Sequence, residues 1–364
     1  MASTPGIILG PLGALYGIAT HARRLLYRKG ALRVHTLGAP VISVGNITTG
    51  GTGKTPLVEW LARMLAVEHR RPCILTRGYG RTDENVRVLV SDGEKVLADV
   101  LEAGDEPRLL AERLRGMAAV VSDADRVAAA SWALENLHAD LFILDDGFQH
   151  LRVARNLNIV AVDATNPWGG GHLLPYGRLR EPVRELARAD CCVITRARQA
   201  ADLDALREEV KRQSRGRPVF ISHTRTIGLR AAALAPTDDA GGTSHGSLLP
   251  VSEAPEQVAA FCAIGNPRAF FSQLQSDGFT LNYTRAFSDH HVYTQRDIEA
   301  LEHEAQAQGA EALLTTAKDA VKLRALRFQL PCYVVEIELE FDDEAAFRRM
   351  VLQAIEDTQP QKDA

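Results

Sequence analysis

The 364-residue chain has little cysteine: five residues (Cys73, Cys191, Cys192, Cys262 and Cys332), odd in number and without a Cys-x-x-Cys pair. That spacing excludes a disulfide framework and a thiolate metal site, and it fits a reducing compartment. The chain also lacks any apolar run near the ~20 residues that a bilayer span requires. Its best candidate, PGIILGPLGALYGIA at 5–19, is broken by Pro11 and several glycines. No basic residue precedes that stretch and no clean small-residue cleavage site follows, so it does not read as a secretory signal. Net charge is only −4, which argues against nucleic acid as a partner. Negative charge is missing locally as well. No Asp or Glu precedes Glu59, while Arg23, Arg24, Arg28, Lys29, Arg33 and Lys54 do, so residues 1–58 carry +6 and the remainder (36 minus 46) carries −10. An anionic surface would meet the N-terminal end first.

What is present is ordinary for a globular protein: 46% apolar and 24% charged residues, in a length that suggests two domains. From Leu15 the N-terminal segment turns helical, with Leu15, Ile18, Ala22, Leu25 and Leu26 on one face and Arg24 and Arg28 opposite. Two readings stand open for residues 1–35. One is an amphipathic helix lying on a membrane, where each Lys or Arg near an anionic leaflet contributes about 1 kcal/mol. The other is a core helix with a solvated basic face.

Downstream, short apolar runs alternate with helical patterns. Strands are expected at 40–45, 72–76, 86–90, 118–122, 140–146, 158–163, 190–195 and 218–222, with helices at 54–69 and 103–115. Most runs are continuously apolar rather than alternating, as parallel strands covered on both faces should be. The expected architecture is α/β: a P-loop NTPase-like, doubly wound, mostly parallel sheet over 36–225. Residues 226–364 read as a smaller α/β C-terminal lobe, with strands at 259–265, 312–316 and 332–337 and helices at 267–277 and 295–308. A Pro/Gly/Ser-rich segment at 235–257 reads as an insertion loop and the tail from Gln359 as a frayed end.

The strongest local signal is VGNITTGGTGKTP at 44–56, following an apolar strand and opening a helix. In that context Gly50, Gly51 and Gly53 let the backbone turn tightly and aim N–H groups at phosphate, with Thr48, Thr49 and Thr52 completing the loop. Lys54 supplies a point charge for the β/γ-phosphates and the Thr55 hydroxyl a ligand for Mg²⁺. Thr48 stands where the strict pattern has its first glycine. LFILDD at 141–146 ends in two acids at the carboxyl edge of a strand, so Asp145 or Asp146 is expected to hold Mg²⁺. These features define a nucleoside-triphosphate enzyme. A guanine-reading Asn-Lys-x-Asp is missing after DCCVIT, while RGYGR (77–81), GDEP (104–107), SDADR (122–126), LREP (179–182) and SDHH (288–291) add acids, bases and arginines. A phosphoryl-transfer site needs such groups to deprotonate an acceptor and neutralise spreading charge. A nucleotide-driven switch or metallochaperone-type ATPase acting on a protein partner is the alternative.

Taken together, GNITTGGTGKTP, RGYGR, GDEP, DDGFQH, LLPYGRLREP, IGNP, SDHH and TTAKDAVKL resemble the tetraacyldisaccharide 4′-kinase family of lipid A biosynthesis, in family order from about residue 40 to 325. The resemblance implies transfer of the ATP γ-phosphate to the 4′-hydroxyl of tetraacyldisaccharide 1-phosphate, giving lipid IV-A. It implies a peripheral protein on the cytoplasmic face of the inner membrane, a lipid substrate, an anionic membrane surface as partner and no obligate protein partner. By motif it makes Asp105 the base assisted by His290, and Asp145, Asp146 and Glu181 the Mg²⁺ shell with Gln149 nearby. Arg77, Arg126 and Arg180 are then candidates for holding substrate or γ-phosphate. Ala317 departs from the acid expected in TTEKDA, and no role is expected for it.

Overall fold

The computed structural model describes residues 4–232 and 248–356. The chain divides into two compact units, 1–223 with 339–364 and 224–338. Residues 235–247 of the expected insertion and the tail from Gln359 lie outside the described residues.

The first unit opens with helix α1 (Thr4–Arg28), which carries Pro11 inside it. The elements that follow are β1 (Val41–Gly45), α2 (Lys54–Val67), β2 (Pro72–Thr76), β3 (Val88–Ser91), α3 (Val100–Ala103) and α4 (Asp105–Arg113). Then come β4 (Ala119–Ser122), α5 (Arg126–Asn136), β5 (Leu141–Asp145), β6 (Leu157–Asp163), β7 (Cys191–Thr195), α6 (Leu203–Gln213) and the start of β8 (Val219–Ala231). Within this unit the strand order is β3-β4-β2-β5-β1-β6-β7-β8. All pairs are parallel except β3 with β4, which form an antiparallel edge. Strands β1, β2, β5, β6 and β7 are buried along their whole length, as their unbroken apolar runs require. The register sets Val44 of β1 beside Asp145 of β5 and Gly45 beside Val160 of β6. That places the phosphate-loop strand between its two neighbours at their carboxyl ends, where open α/β sheets bind ligands.

The second unit holds the rest of β8, then β9 (Gln257–Cys262), α7 (Pro267–Ser276), β10 (Thr280–Ala286), α8 (Gln295–Ala307), β11 (Ala312–Thr316), α9 (Ala317–Leu323) and β12 (Cys332–Phe341) as far as Glu338. Its strands run in the order β10-β9-β11-β12, all parallel.

Three differences from expectation have physical causes. The helix expected over 103–115 is α4, which starts only at Asp105, because Gly104 sits at φ 90°, where a side chain would meet the Tyr79 carbonyl at 3.0 Å, and separates it from the short helix α3. Strand β10 escaped notice because it is an edge strand whose residues are only partly buried. The C-terminal helix α10 (Glu344–Glu356) belongs to the first unit, not to the second lobe. Its Phe347, Val351 and Ile355, one face at i, i+4 and i+8, join Leu57, Leu61 and Leu65 of α2 in the main core.

Phe347 is fully buried, with ring centroids 5.3 Å from Trp60 and 4.8 Å from Phe220. Phe347→Ala is expected to cost about 3–5 kcal/mol of stability, the usual loss for a buried aromatic. Urea unfolding followed through tryptophan fluorescence measures it, and a loss under ~1 kcal/mol would remove α10 from the core.

Candidate active site

The phosphate loop leaves β1 at Gly45 and is tied on several sides. Asn46 donates its amide to Thr52 Oγ1 at 2.8 Å, Thr195 Oγ1 donates to the Thr52 carbonyl at 2.9 Å, and Arg196 donates to the Gly51 carbonyl at 2.8 Å. Arg196 is itself held by Asp163 at 2.6 Å. Gly50 (φ 104°) and Gly53 (φ 77°) take left-handed conformations, and a side chain on Gly53 would press within 3.2 Å of Thr195. The missing glycine at Thr48 has an explanation here. Thr48 forms an antiparallel bridge with Leu179, Thr49 N–H donates to the Arg178 carbonyl at 2.7 Å, and Arg180 N–H donates to the Ile47 carbonyl at 2.8 Å. Strand-like pairing needs no glycine, and it carries the LREP segment to the rim of the loop.

The acids of β5 meet those cations. Asp146 accepts from Arg180 at 2.6 Å and lies 3.2 Å from Lys54 Nζ. Burial alone raises its pKa, but Lys54 and Arg180 overcome that and hold the carboxyl well below the usual range. Asp146 adopts φ 53°, unusual for a residue with a side chain. The following turn is packed without slack: a side chain on Gly147 would meet Ser43 Oγ at 2.5 Å, and one on Gly45 would meet Phe148 Cβ at 2.5 Å. Arg155, buried, donates to the carbonyls of Gly147 (2.9 Å), Phe148 (3.4 Å) and His150 (2.7 Å) and so fixes the turn. Gln149 donates to the Asn46 carbonyl at 2.8 Å and accepts from Arg180 at 3.5 Å.

Asp145 is buried and accepts from Thr76 Oγ1 at 3.3 Å. Burial, then the charges of Glu106 and Asp146, raise its pKa. Asp145 and Asp146 are the acids at this edge that could take up Mg²⁺, which binds through one or two carboxylates plus substrate phosphates and water. Among the described residues no group of three or more His, Cys, Asp or Glu side chains is arranged to hold a metal by itself. Arg126 is buried, donates to the carbonyls of Asp123 and Ala124, and lies within electrostatic reach of Asp145 and Asp146.

Asp105 is the first residue of α4, buried at a helix N-terminus. The RGYGR turn packs against the same point, since a side chain on Gly78 would meet the Ala103 carbonyl at 2.8 Å. In that turn Arg81 is structural, binding the carbonyls of Glu84, Val86 and Ser122, whereas Arg77 is exposed and pairs with Glu84 at 3.2 Å. His290 belongs to the second unit, in a left-handed conformation (φ 62°) with its ring 3.8 Å from Asp289, which is bound by Lys318 at 3.3 Å. The adjacent His291 stacks on Phe287 and pairs with Asp297, a packing role.

Two placements depart from the sequence reading. Glu181, expected beside Mg²⁺, has its carboxylate on Arg188 and shares a cluster with Glu185 and Arg24. Glu106, which follows Asp105 in GDEP and was not among the expected site residues, acts on Asp145 by its charge together with Asp146. One helical step of 100° turns the neighbouring acid toward a different partner.

A glycine-rich loop between a parallel strand and a helix, with Lys54 and an acid from the neighbouring strand, defines a P-loop nucleoside-triphosphate enzyme of the α/β class. The family model for tetraacyldisaccharide-1-P 4′-kinase matches residues 6–356, and the chain belongs to that family. Relatives named tetraacyldisaccharide 4′-kinase include one from Desulfotalea psychrophila, 40% identical over 92% of this chain and 93% of its own length. Another, from Geobacter metallireducens, is 39% identical over 92% and 94%. The crystal structure of LpxK from Aquifex aeolicus in complex with ATP superposes with a TM-score of 0.72 at 30% identity, covering 95% of this chain and 98% of that one.

Gly147→Ala is expected to lower kcat by ~10²-fold or more, because the added methyl must displace Ser43 or the turn bearing Asp146 and Gln149. Steady-state kinetics beside a thermal melt would check it. A variant with parental turnover would show that the turn tolerates the shift.

Proposed function

We propose that this kinase phosphorylates the 4′-hydroxyl of tetraacyldisaccharide 1-phosphate with ATP, at the site built around Lys54, Asp146 and Arg180. The observation that carries the reading is Asp146, which holds both cations at the mouth of the phosphate loop. ATP enters with its phosphates on the N–H groups of residues 50–55 and on Lys54, and Arg180 lies ready for the γ-phosphate. Asp105 accepts the proton of the acceptor hydroxyl as its oxygen bonds to the γ-phosphorus, and the bond to the β-phosphate oxygen breaks to release ADP. The motif resemblance gives His290, a residue of the second unit, the part of assistant to that base. Arg126 and Arg77 add positive charge on the acid side of the site, and Gln149 keeps Arg180 in line. Thr55 and Asp145, with Asp146 and Glu106 beside them, would hold Mg²⁺, which neutralises charge on the β- and γ-phosphates.

The lipid substrate implies work at a membrane surface, and α1 supports that. No helix among the described residues is long and apolar enough to cross a membrane. Yet Leu12, Leu15, Ile18 and Leu26 are exposed on one face of α1, Ile18 at 65%. Arg23, Arg28, Lys29 and Arg33 are exposed close by. An apolar stripe edged with cations suits a helix lying in the interface of an anionic leaflet, here the cytoplasmic face of the inner membrane.

The test uses γ-labelled ATP, Mg²⁺ and tetraacyldisaccharide 1-phosphate in mixed micelles, followed by organic extraction. Label should enter the lipid phase. Lys54→Ala should abolish this, and Asp105→Ala should lower kcat ~10²–10⁴-fold with little change in ATP KM. Label released only as free phosphate, indifferent to lipid, would instead favour a nucleotide-driven switch.

Leu15→Asp with Ile18→Asp should weaken co-sedimentation with anionic vesicles, each exposed aliphatic side chain contributing ~1.5–3 kcal/mol when buried in lipid. Unchanged recovery would sink the membrane reading of α1.

A further inference from the structure

The search for further roles converges on the face of α1 turned toward the protein. Gly13, Gly17 and Arg24 share one stripe at i, i+4 and i+11. A side chain on Gly13 would lie 3.4 Å from the Leu173 carbonyl, and one on Gly17 would press within 2.8 Å of the Leu173 side chain. The helix therefore lies close along the segment that leads into Arg180. Tyr16 feels the charges of Glu181 and Arg180, which places α1 beside LREP.

Two turns beyond Gly17, Arg24 forms an ion pair with Glu185, a buried acid. Glu185 lies 3.4 Å from Arg188 Nε, and Arg188 pairs with Glu181. The Arg188 guanidinium sits over the Phe148 ring, 4.0 Å from its centroid. Phe148 is fully buried in the turn that carries Asp146 and Gln149, and it fills the space that a side chain on Gly45 would need. Arg188 is thus clamped between two carboxylates and an aromatic face, with only 6% of its side chain exposed. A planar guanidinium can satisfy both carboxylates and the ring at once, which a Lys ammonium cannot.

We propose that Arg188 is a positioning residue for the Asp146–Gln149 turn, and that Glu185 transmits to it the seating of α1. The N-terminal helix then sets the rate of phosphoryl transfer as well as the place where it happens. The chain of contacts runs from Arg24 through Glu185, Arg188 and Phe148 to the base of the phosphate loop, and none of these side chains is assigned to ATP, acceptor or Mg²⁺. A misplacement of the turn by about 1 Å is enough to cost ~10²-fold in rate.

The inference rests on the kinase reading above, and the test separates the two. Glu185→Gln keeps every cation of α1 and should leave vesicle co-sedimentation unchanged. It should lower kcat for lipid phosphorylation roughly tenfold or more while ATP KM stays within about twofold. Arg24→Gln should do the same to kcat, and the double variant should be no slower than the slower single one, because both break one linkage. Arg188→Lys should not restore the rate, since a point charge cannot replace the stacked fork. If Glu185→Gln fails to fold, Arg24→Gln, at a partly exposed position, carries the test alone with its thermal midpoint as control. A Glu185→Gln or Arg24→Gln enzyme with parental kcat would overturn the proposal, and so would losses that multiply in the double variant. A parent protein that never labels lipid would instead overturn the substrate reading.

Discussion

Everything at this site depends on one carboxylate placed between two cations. Lys54 and Arg180 come from segments far apart in the chain, and on the rim of one loop they would repel each other. Asp146 holds both, at 3.2 and 2.6 Å, and the two positive charges favour its ionised form. The cost appears in the backbone. A left-handed conformation outside glycine is unfavourable by ~1–2 kcal/mol, and it is accepted here because Arg155, Gly147 and the packing of Phe148 leave the turn no other course. A nucleotide arriving at the loop meets cations already gathered, with their neutralising acid fixed alongside, and little reorganisation remains.

Much of this was legible in the sequence because the signals are local. The strand–loop–helix around residues 44–56 and the LFILDD run predict both the elements and their neighbourhood, since parallel strands bring their carboxyl ends together. Among the elements that went unread are the edge strand Thr280–Ala286, half exposed, and helices α5 and α6 of the first unit. Pairings between distant residues were not legible at all. Nothing local to Glu181 says that Arg188 takes its charge, and nothing local to Glu106 says that its charge reaches Asp145. Both are decided by how the segments after β6 and before α4 pack.

Helix α1 shows the limit of a periodicity argument. An apolar face and basic residues were both visible, but two opposite placements satisfied them. The structure leaves Leu15, Ile18 and Leu26 outward and turns the glycine stripe inward, so the residues with the least side chain make the closest packing. Arg24, which a helical projection assigns to solvent, faces the protein and pairs with Glu185. Backbone proximity, supplied by Gly13 and Gly17, outweighs apolar area in choosing the inner face.

The first unit is discontinuous: the chain leaves it after His223 and returns at Leu339, and helix α10 then sets Phe347 against Trp60 of α2. On the ribosome, the strands and the phosphate loop are therefore made long before the helix that covers them. Until some 115 further residues have been synthesised, Trp60 of α2 lacks Phe341 and Phe347, the rings it packs on in the finished fold, and stays open to water or to whatever chaperone is at hand. A nascent chain stalled inside the second unit would display its nucleotide loop without the lid of its own core.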